Sequence, residues 1–124
     1  MDVSLLETLL DHDILPVISP VSRGPDGVAL NVNADDAATA LAVALRAERL
    51  LFVSNIPGVL AEGETLAEVT TGGVEELISN GTASGGMAPK LRAAAHAASN
   101  GVGEVRIGNL DMLAGNGAGT RVTG

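Results

Sequence analysis

NVNADDAATALAVALRAERLLFVSN, residues 31–55, runs from an extended segment into a helix and out into a strand. Ala38, Leu41, Ala42 and Leu45 recur at i, i+3, i+4 and i+7, the spacing of one helical face. The pattern predicts a helix over residues 34–50. Asn33 or Asp35 can cap it, and Asp35 and Asp36 suit the positive end of its dipole. Leu50 to Val53 follows as a short apolar run that reads as a buried strand. A helix feeding a buried strand is the building unit of a layered α/β domain.

Working outward, the same alternation continues on both sides. Upstream, SRGPDGVALNVN (22–33) alternates around Pro25-Asp26-Gly27, a turn in which Pro presets φ and Gly accepts φ > 0. This predicts a β-hairpin from about Pro20 to Val32. Residues 4–11 read as a short helix, and Ile14–Ile18 as a short buried strand ending at Ser19-Pro20. Downstream, SNIPGVLAEGET (54–65) reads as a loop turning at Pro57-Gly58. GVEELISN (73–80) reads as a second helix ending at Gly81. A third helix is expected from about Met87 to Ser99, with Met87, Leu91, Ala94 and Ala98 as its apolar stripe. Glu104–Ile107 and Gly119–Val122 read as strands, with a short segment near Leu110–Leu113 between them. The expected fold is α/β: one domain over residues 1–124, with a mainly parallel sheet covered on both faces plus a β-hairpin. Right-handed crossovers place the loops after the strands at one edge, where such sheets bind ligands.

The bulk composition agrees. The chain has 124 residues, 46 % of them hydrophobic, and Phe52 is its only Phe, Trp or Tyr. The core is therefore built from small aliphatic side chains. Sixteen glycines cluster between the periodic segments. A net charge of −8 argues against a nucleic-acid or membrane-surface partner, since both need a basic patch. Without cysteine there is no disulfide or thiolate–metal site, and His12 and His96 are too few for zinc. Both histidines read as solvated, as does Arg23. No apolar run or leader pattern points to a membrane, so a cytoplasmic protein is expected.

Three stretches can carry chemistry. In NVNADD (31–36), Asn31 and Asn33 face the same side and run into a helix start bearing Asp35. The arrangement is either a helix cap or a set of amide and carboxylate groups around a ligand. SNIPGVL (54–60) follows a strand directly and is either an ordinary turn or a place where a nucleotide lies on exposed backbone. In SGGMAPKL (84–91), glycines allow an anion close to backbone N–H groups at the start of a helix. Lys90, the only lysine among seven basic residues, falls in that helix's first turn, where a cation opposes the macrodipole. Either it is a chance surface lysine or it is a compact point charge for phosphate. Neither a Walker pattern nor a dinucleotide fingerprint is present.

PVISPV (16–21), GVALNVNADDAATALAVAL (27–45), LLFVSNIPGVL (50–60), ASGGMAPKLRAAAHA (83–97) and GTRV (119–122) together resemble the C-terminal half of the amino acid kinase family. The resemblance is strongest to the branch that phosphorylates N-acetyl-L-glutamate in arginine biosynthesis. It implies a three-layer α/β/α sandwich whose C-terminal half holds ATP, with Mg²⁺ held mainly by the nucleotide. It assigns Lys90 to the transferred phosphoryl group and Asp35 to organising the site's lysines. Asn31, with Asn33 beside it, would meet the acylated acidic amino acid. Ser54, Asn55, Gly58, Val59 and Leu60 on one loop, and Ser84, Gly85, Gly86 and Met87 on the other, would flank the nucleotide. The family often carries Asp where this chain has Asn55. The family chain is about twice as long, and its first half supplies a glycine-rich loop, another lysine and a substrate-gripping arginine. The resemblance therefore implies a fragment with little activity alone, which either self-associates or pairs with the missing half. A kinase for a carrier-bound aminoadipate or glutamate, and a non-catalytic nucleotide-binding module, are the alternative functions.

Overall fold

The computed structural model describes residues 1–124. The elements in chain order are α1 (Ser4–Asp11), β1 (Val21–Arg23), β2 (Ala29–Asn31), α2 (Ala34–Ala44), β3 (Arg49–Val53), β4 (Leu60–Ala61), β5 (Glu64–Thr65), β6 (Glu68–Thr70), α3 (Val74–Ser79), α4 (Met87–Ser99), β7 (Glu104–Gly108) and β8 (Thr120–Thr123). Short 3₁₀ turns occupy Thr71–Gly73 and Leu110–Ala114.

The central sheet has the order β3-β7-β8-β6. β3 and β7 are parallel, as are β6 and β8, while β7 and β8 run antiparallel. The mainly parallel α/β sheet expected from the sequence is present, and so is the predicted hairpin, as a separate β1–β2 ribbon. No helix is long and apolar enough to cross a membrane.

Alternation along the strands sorts the sheet's two faces. Leu50, Phe52, Val105, Ile107, Val122 and Val69 line one face, with Thr120, and α4 lies across it with α2 at its side. That face is the core: Leu91, Ala94 and Ala97 of α4 meet Val105 and Ile107 at 0 % exposure. The other face carries Arg49, Arg106, Arg121, Glu104 and Glu68. Glu104 pairs there with Arg49 at 3.0 Å and with Arg106.

Several expectations need correction. Ile14–Ile18 is not a strand. It has no pairing partner, and Leu15 and Val17 are 82 % and 94 % exposed, so nothing satisfies a ladder or buries the side chains. The helix expected over 34–50 stops at Ala44, because Arg46 turns left-handed at φ 51° and Ala47 N–H bonds back to Ala42 O at 2.9 Å. Such a stop is normally made by glycine. The loop 54–65 contains a small hairpin, β4–β5, turned at Glu62-Gly63 with φ 53° and 80°, and β6 follows it. The buried stripe of α4 includes Ala93 and Ala97, while Met87 and Ala98 are only half-buried.

Two predictions follow from this packing. Leu91→Ala should cost about 2–5 kcal/mol, because the side chain is fully enclosed. A lowered urea midpoint with an unchanged m-value would show it. The Arg106 hydrogen bond, helped by the charges of Arg49 and Arg121, holds the Glu104 carboxyl below its usual range. A carboxylate that ionises more readily when folded stabilises the fold above the unfolded-state pKa of about 4.3, and that contribution is lost as pH falls through the folded-state value. Glu104→Gln should therefore lower the melting temperature at pH 7, and the gap to the unaltered chain should close below about pH 4. A gap of unchanged size from pH 7 down to pH 2 would contradict the assignment.

Candidate active site

Two helices begin at the same edge of the sheet. Asp35 is the second residue of α2 and Lys90 the fourth of α4. Lys90 Nζ donates to Asp35 Oδ1 at 2.7 Å, with the two side chains 17 % and 24 % exposed. Beneath them lies Phe52, the penultimate residue of β3, whose ring centroid is 5.4 Å from Lys90 Nζ. A lysine stem over an aromatic face gains from cation–π attraction as well as from burial. The lone lysine thus stands directly over the lone aromatic side chain.

Local sequence explains why each group arrives there. The side-chain oxygen of Asn33 accepts from the N–H groups of Asp35 (3.0 Å) and Asp36 (3.2 Å), so α2 starts at a fixed point. Of the two possible caps, Asn33 is the one used. α4 has no side-chain cap and no acidic residue in its first turn. Asp35 supplies that negative charge from the neighbouring helix, which offsets the poor placement of a cation at the positive end of α4. Pro89 sits in that first turn, where a missing N–H costs nothing.

The expected loops are at the same edge. Ser54 N–H donates to Gly108 O at 2.7 Å, extending the β3–β7 ladder just past the strand ends. Ser54 Oγ lies 3.4 Å from Asn55 Oδ1, and Asn55 is exposed. Gly58 and Val59 are buried. A Cβ on Gly58 would lie 2.7 Å from both Thr120 Oγ1 and Thr65 Cγ2. Val59 is 0 % exposed, its N–H donates to Thr120 Oγ1 at 2.9 Å and its carbonyl accepts from Leu66 N–H at 2.8 Å. Both backbone groups of Val59 are thus taken, and Leu60 leads outward into β4.

Gly85 and Gly86 behave differently. A Cβ at either would meet nothing within 4 Å, and Ser84, Gly85 and Gly86 are all exposed. Gly85 needs glycine for φ 55°, but Gly86, at φ −65° and ψ −16°, needs it for neither conformation nor packing. Open space over a glycine pair at a helix start leaves room for a phosphate-sized group. Met87 is half-buried, and Asn31 is exposed at the end of β2.

Sequence reasoning missed three residues. Thr120 bridges Val59 N–H and Leu66 O, tying the 58–66 loop to β8. Thr39 is buried between α2 and α4. Phe52 underlies Lys90. Each left a signal: the hydroxyl of the closing GTRV, the one hydroxyl in an alanine-rich helix, and the single aromatic residue. No trio of His, Asp or Glu is grouped to hold a metal ion. Of the two carboxylates in the first turn of α2, Asp35 is paired with Lys90 and Asp36 is exposed.

Comparison with known proteins gives a consistent picture. The model of the amino acid kinase family matches residues 1–109. The chain is 50 % identical over 109 residues to an acetylglutamate kinase of Roseiflexus sp. (strain RS-1), covering 88 % of this chain and 41 % of that protein. An acetylglutamate kinase of Chloroflexus aurantiacus (strain ATCC 29366 / DSM 635 / J-10-fl) is 49 % identical over 124 residues, covering 99 % and 48 %. The chain thus spans about half the length of the curated relatives it matches. The crystal structure of smu.665 from Streptococcus mutans UA159 superposes with a TM-score of 0.91 at 36 % identity, covering 99 % of this chain and 48 % of that one. With a family match over most of its length and relatives at this level of identity, the chain belongs to the amino acid kinase family.

Proposed function

We propose that this chain is the nucleotide-binding, partly catalytic part of a cytoplasmic kinase that transfers the γ-phosphoryl group of ATP to the side-chain carboxylate of N-acetyl-L-glutamate. The observation that carries the reading is the Lys90–Asp35 pair, held at 2.7 Å between two helix N-termini beside an open glycine pair. The names of the relatives support the acceptor, and the family supports the reaction class.

The chemistry asks for little beyond positioning. The acceptor carboxylate, with a pKa of about 4, is ionised at pH 7 and needs no general base. Asp35 is therefore an organiser rather than a proton acceptor. The obstacle is repulsion between an anionic nucleophile and a polyanionic phosphate chain, and catalysis consists of neutralising and aligning charge. An ammonium has three N–H donors. Asp35 takes one, which fixes the direction of the others toward the open edge, where they meet the phosphoryl oxygens as negative charge shifts to the leaving group. The N-terminus of α4 and the backbone around Gly85-Gly86 add donors to the same phosphates, and Mg²⁺ carried by the nucleotide adds its charge. Ser54, Asn55 and Leu60 border the nucleotide from the other side, on a loop shaped by Gly58 and Val59. Asn31 and Asn33 face the acceptor.

The rest of the machinery lies outside this chain. Most of its large exposed hydrophobics fall in the first 30 residues, among them Leu5, Leu15, Val17 and Val21. An apolar surface of this kind calls for a cover, either a second copy or the remaining half of the kinase.

The test is ADP release that depends on N-acetyl-L-glutamate and Mg·ATP. Residues 1–124 alone should give only background. Adding the portion of the Roseiflexus kinase outside the matched region should raise the rate, and Lys90→Ala should lower the restored kcat about 10²–10³-fold, far more than its effect on the folded fraction accounts for. Turnover of about 1–100 s⁻¹ by the chain alone would refute the half-enzyme reading. Carbamate or a carrier-bound aminoadipate acting in place of acetylglutamate would move the reading to another acceptor.

A further inference from the structure

Thr39 lies one turn into α2 from Asp35 and is 3 % exposed. Its hydroxyl donates to the Ala93 carbonyl of α4 at 3.3 Å. Ala93 is three residues beyond Lys90, so this bond joins the same two helices one turn, about 5.4 Å, deeper than the ion pair. On its inner side Ala42, Ala93, Ala94 and Ala97 are all buried, and on its outer side Asp36, Arg92 and His96 flank the groove between the two helices.

A hydroxyl on such a surface is costly unless it is bonded. At 3.3 Å the bond itself is weak. Its effect comes from the asymmetry between a made and an unmade bond. If α2 slides or rolls against α4, the hydroxyl loses that partner while it stays almost wholly enclosed, and an enclosed hydroxyl without a partner is penalised. Alanines alone impose no such condition, because one small side chain packs about as well as the next along a smooth helix surface. Asp35 and Lys90, on the outer turn, meet at hydrogen-bond distance only when the register is right.

We propose that Thr39 is a positioning residue, whose buried hydroxyl fixes the register of α2 on α4 so that Asp35 meets Lys90 and Lys90 Nζ stays over Phe52. Thr39 touches neither nucleotide nor acceptor and acts through the ion pair. Its bearing on phosphoryl transfer rests on the kinase reading above, whereas the register itself does not.

The composition supplies the probe. Lys90 is the only lysine and Phe52 the only phenylalanine, with no tryptophan or tyrosine. A chain labelled with ¹³C-lysine gives one set of lysine side-chain NMR signals, displaced upfield by one ring. Thr39→Val keeps the shape and removes the donor. It should return the Lys90 ε-protons to the position of a free lysine, while the core methyl signals of Leu91 and Ile107 stay in place. Thr39→Ala should do the same, Thr39→Ser should retain the upfield shift, and Asp35→Ala should abolish it as a control. The proposal is overturned if Thr39→Val and Thr39→Ala leave the Lys90 signal where it was. It is equally overturned if Thr39→Ser loses the shift, or if both Val and Ala variants unfold, which would make Thr39 a stability residue. Adding Mg·ATP separates the two readings. A Lys90 signal that ignores the nucleotide in every folded variant counts against the kinase assignment and leaves the register result standing.

Discussion

Lys90 reaches Asp35 because two alanine-faced helices can lie close together. A seam of Ala42, Ala93, Ala94 and Ala97 brings the backbones of α2 and α4 nearer than larger side chains would allow. At the mouth of that seam the two charged residues are mostly shielded from water, at 17 % and 24 % exposure. Shielding strengthens their attraction and raises the cost of leaving either one alone. Once the pair is formed, the starts of both helices are fixed relative to the ends of β3 and β7. The glycine loop before α4 and the Ser54 loop after β3 inherit their positions from that arrangement.

The parts of the fold that could be read from the sequence are those in which one short-range rule decides. The α2 cap, the β1–β2 hairpin and the long α4 each follow from a local pattern, and the structure holds all three. The failures have longer-range causes. Nothing in Ile14–Ile18 says that no strand waits to pair with it. Arg46 ends α2 in a conformation usually left to glycine, so the boundary carries no residue signal. The site followed the same division. Its polar residues were visible as a cluster in the sequence, but the meeting of Asp35 with Lys90, 55 residues away, is a fact of helix packing. Val59 looked like a loop residue because its burial depends on Thr120, 61 residues downstream.

The sheet's two faces show how far the core extends. One is aliphatic and closed by helices. The other places Arg49, Arg106 and Arg121 on three adjacent strands, in a protein with a net charge of −8. Glu104 between them neutralises part of that charge and orders Arg106, which also donates to Gly117 O at 3.1 Å. The interior is therefore one-sided. Residues before β2 sit outside it: α1 buries no residue at all. The chain spans about half the length of the curated relatives it matches.

The choice of lysine over arginine at position 90 has a physical basis in the same geometry. A guanidinium facing Asp35 would form a planar two-pronged pair, as Arg92 does with Glu75 at 2.9 and 3.1 Å. Such a pair spends both carboxylate oxygens and much of the cation's donor set on each other, and it is a self-contained surface feature. The ammonium of Lys90 engages one carboxylate oxygen and keeps two donors free on a compact charge. Arg49, Arg92 and Arg106 each hold a carboxylate partner. At position 90 the ammonium is held by one carboxylate oxygen and keeps donors to spare.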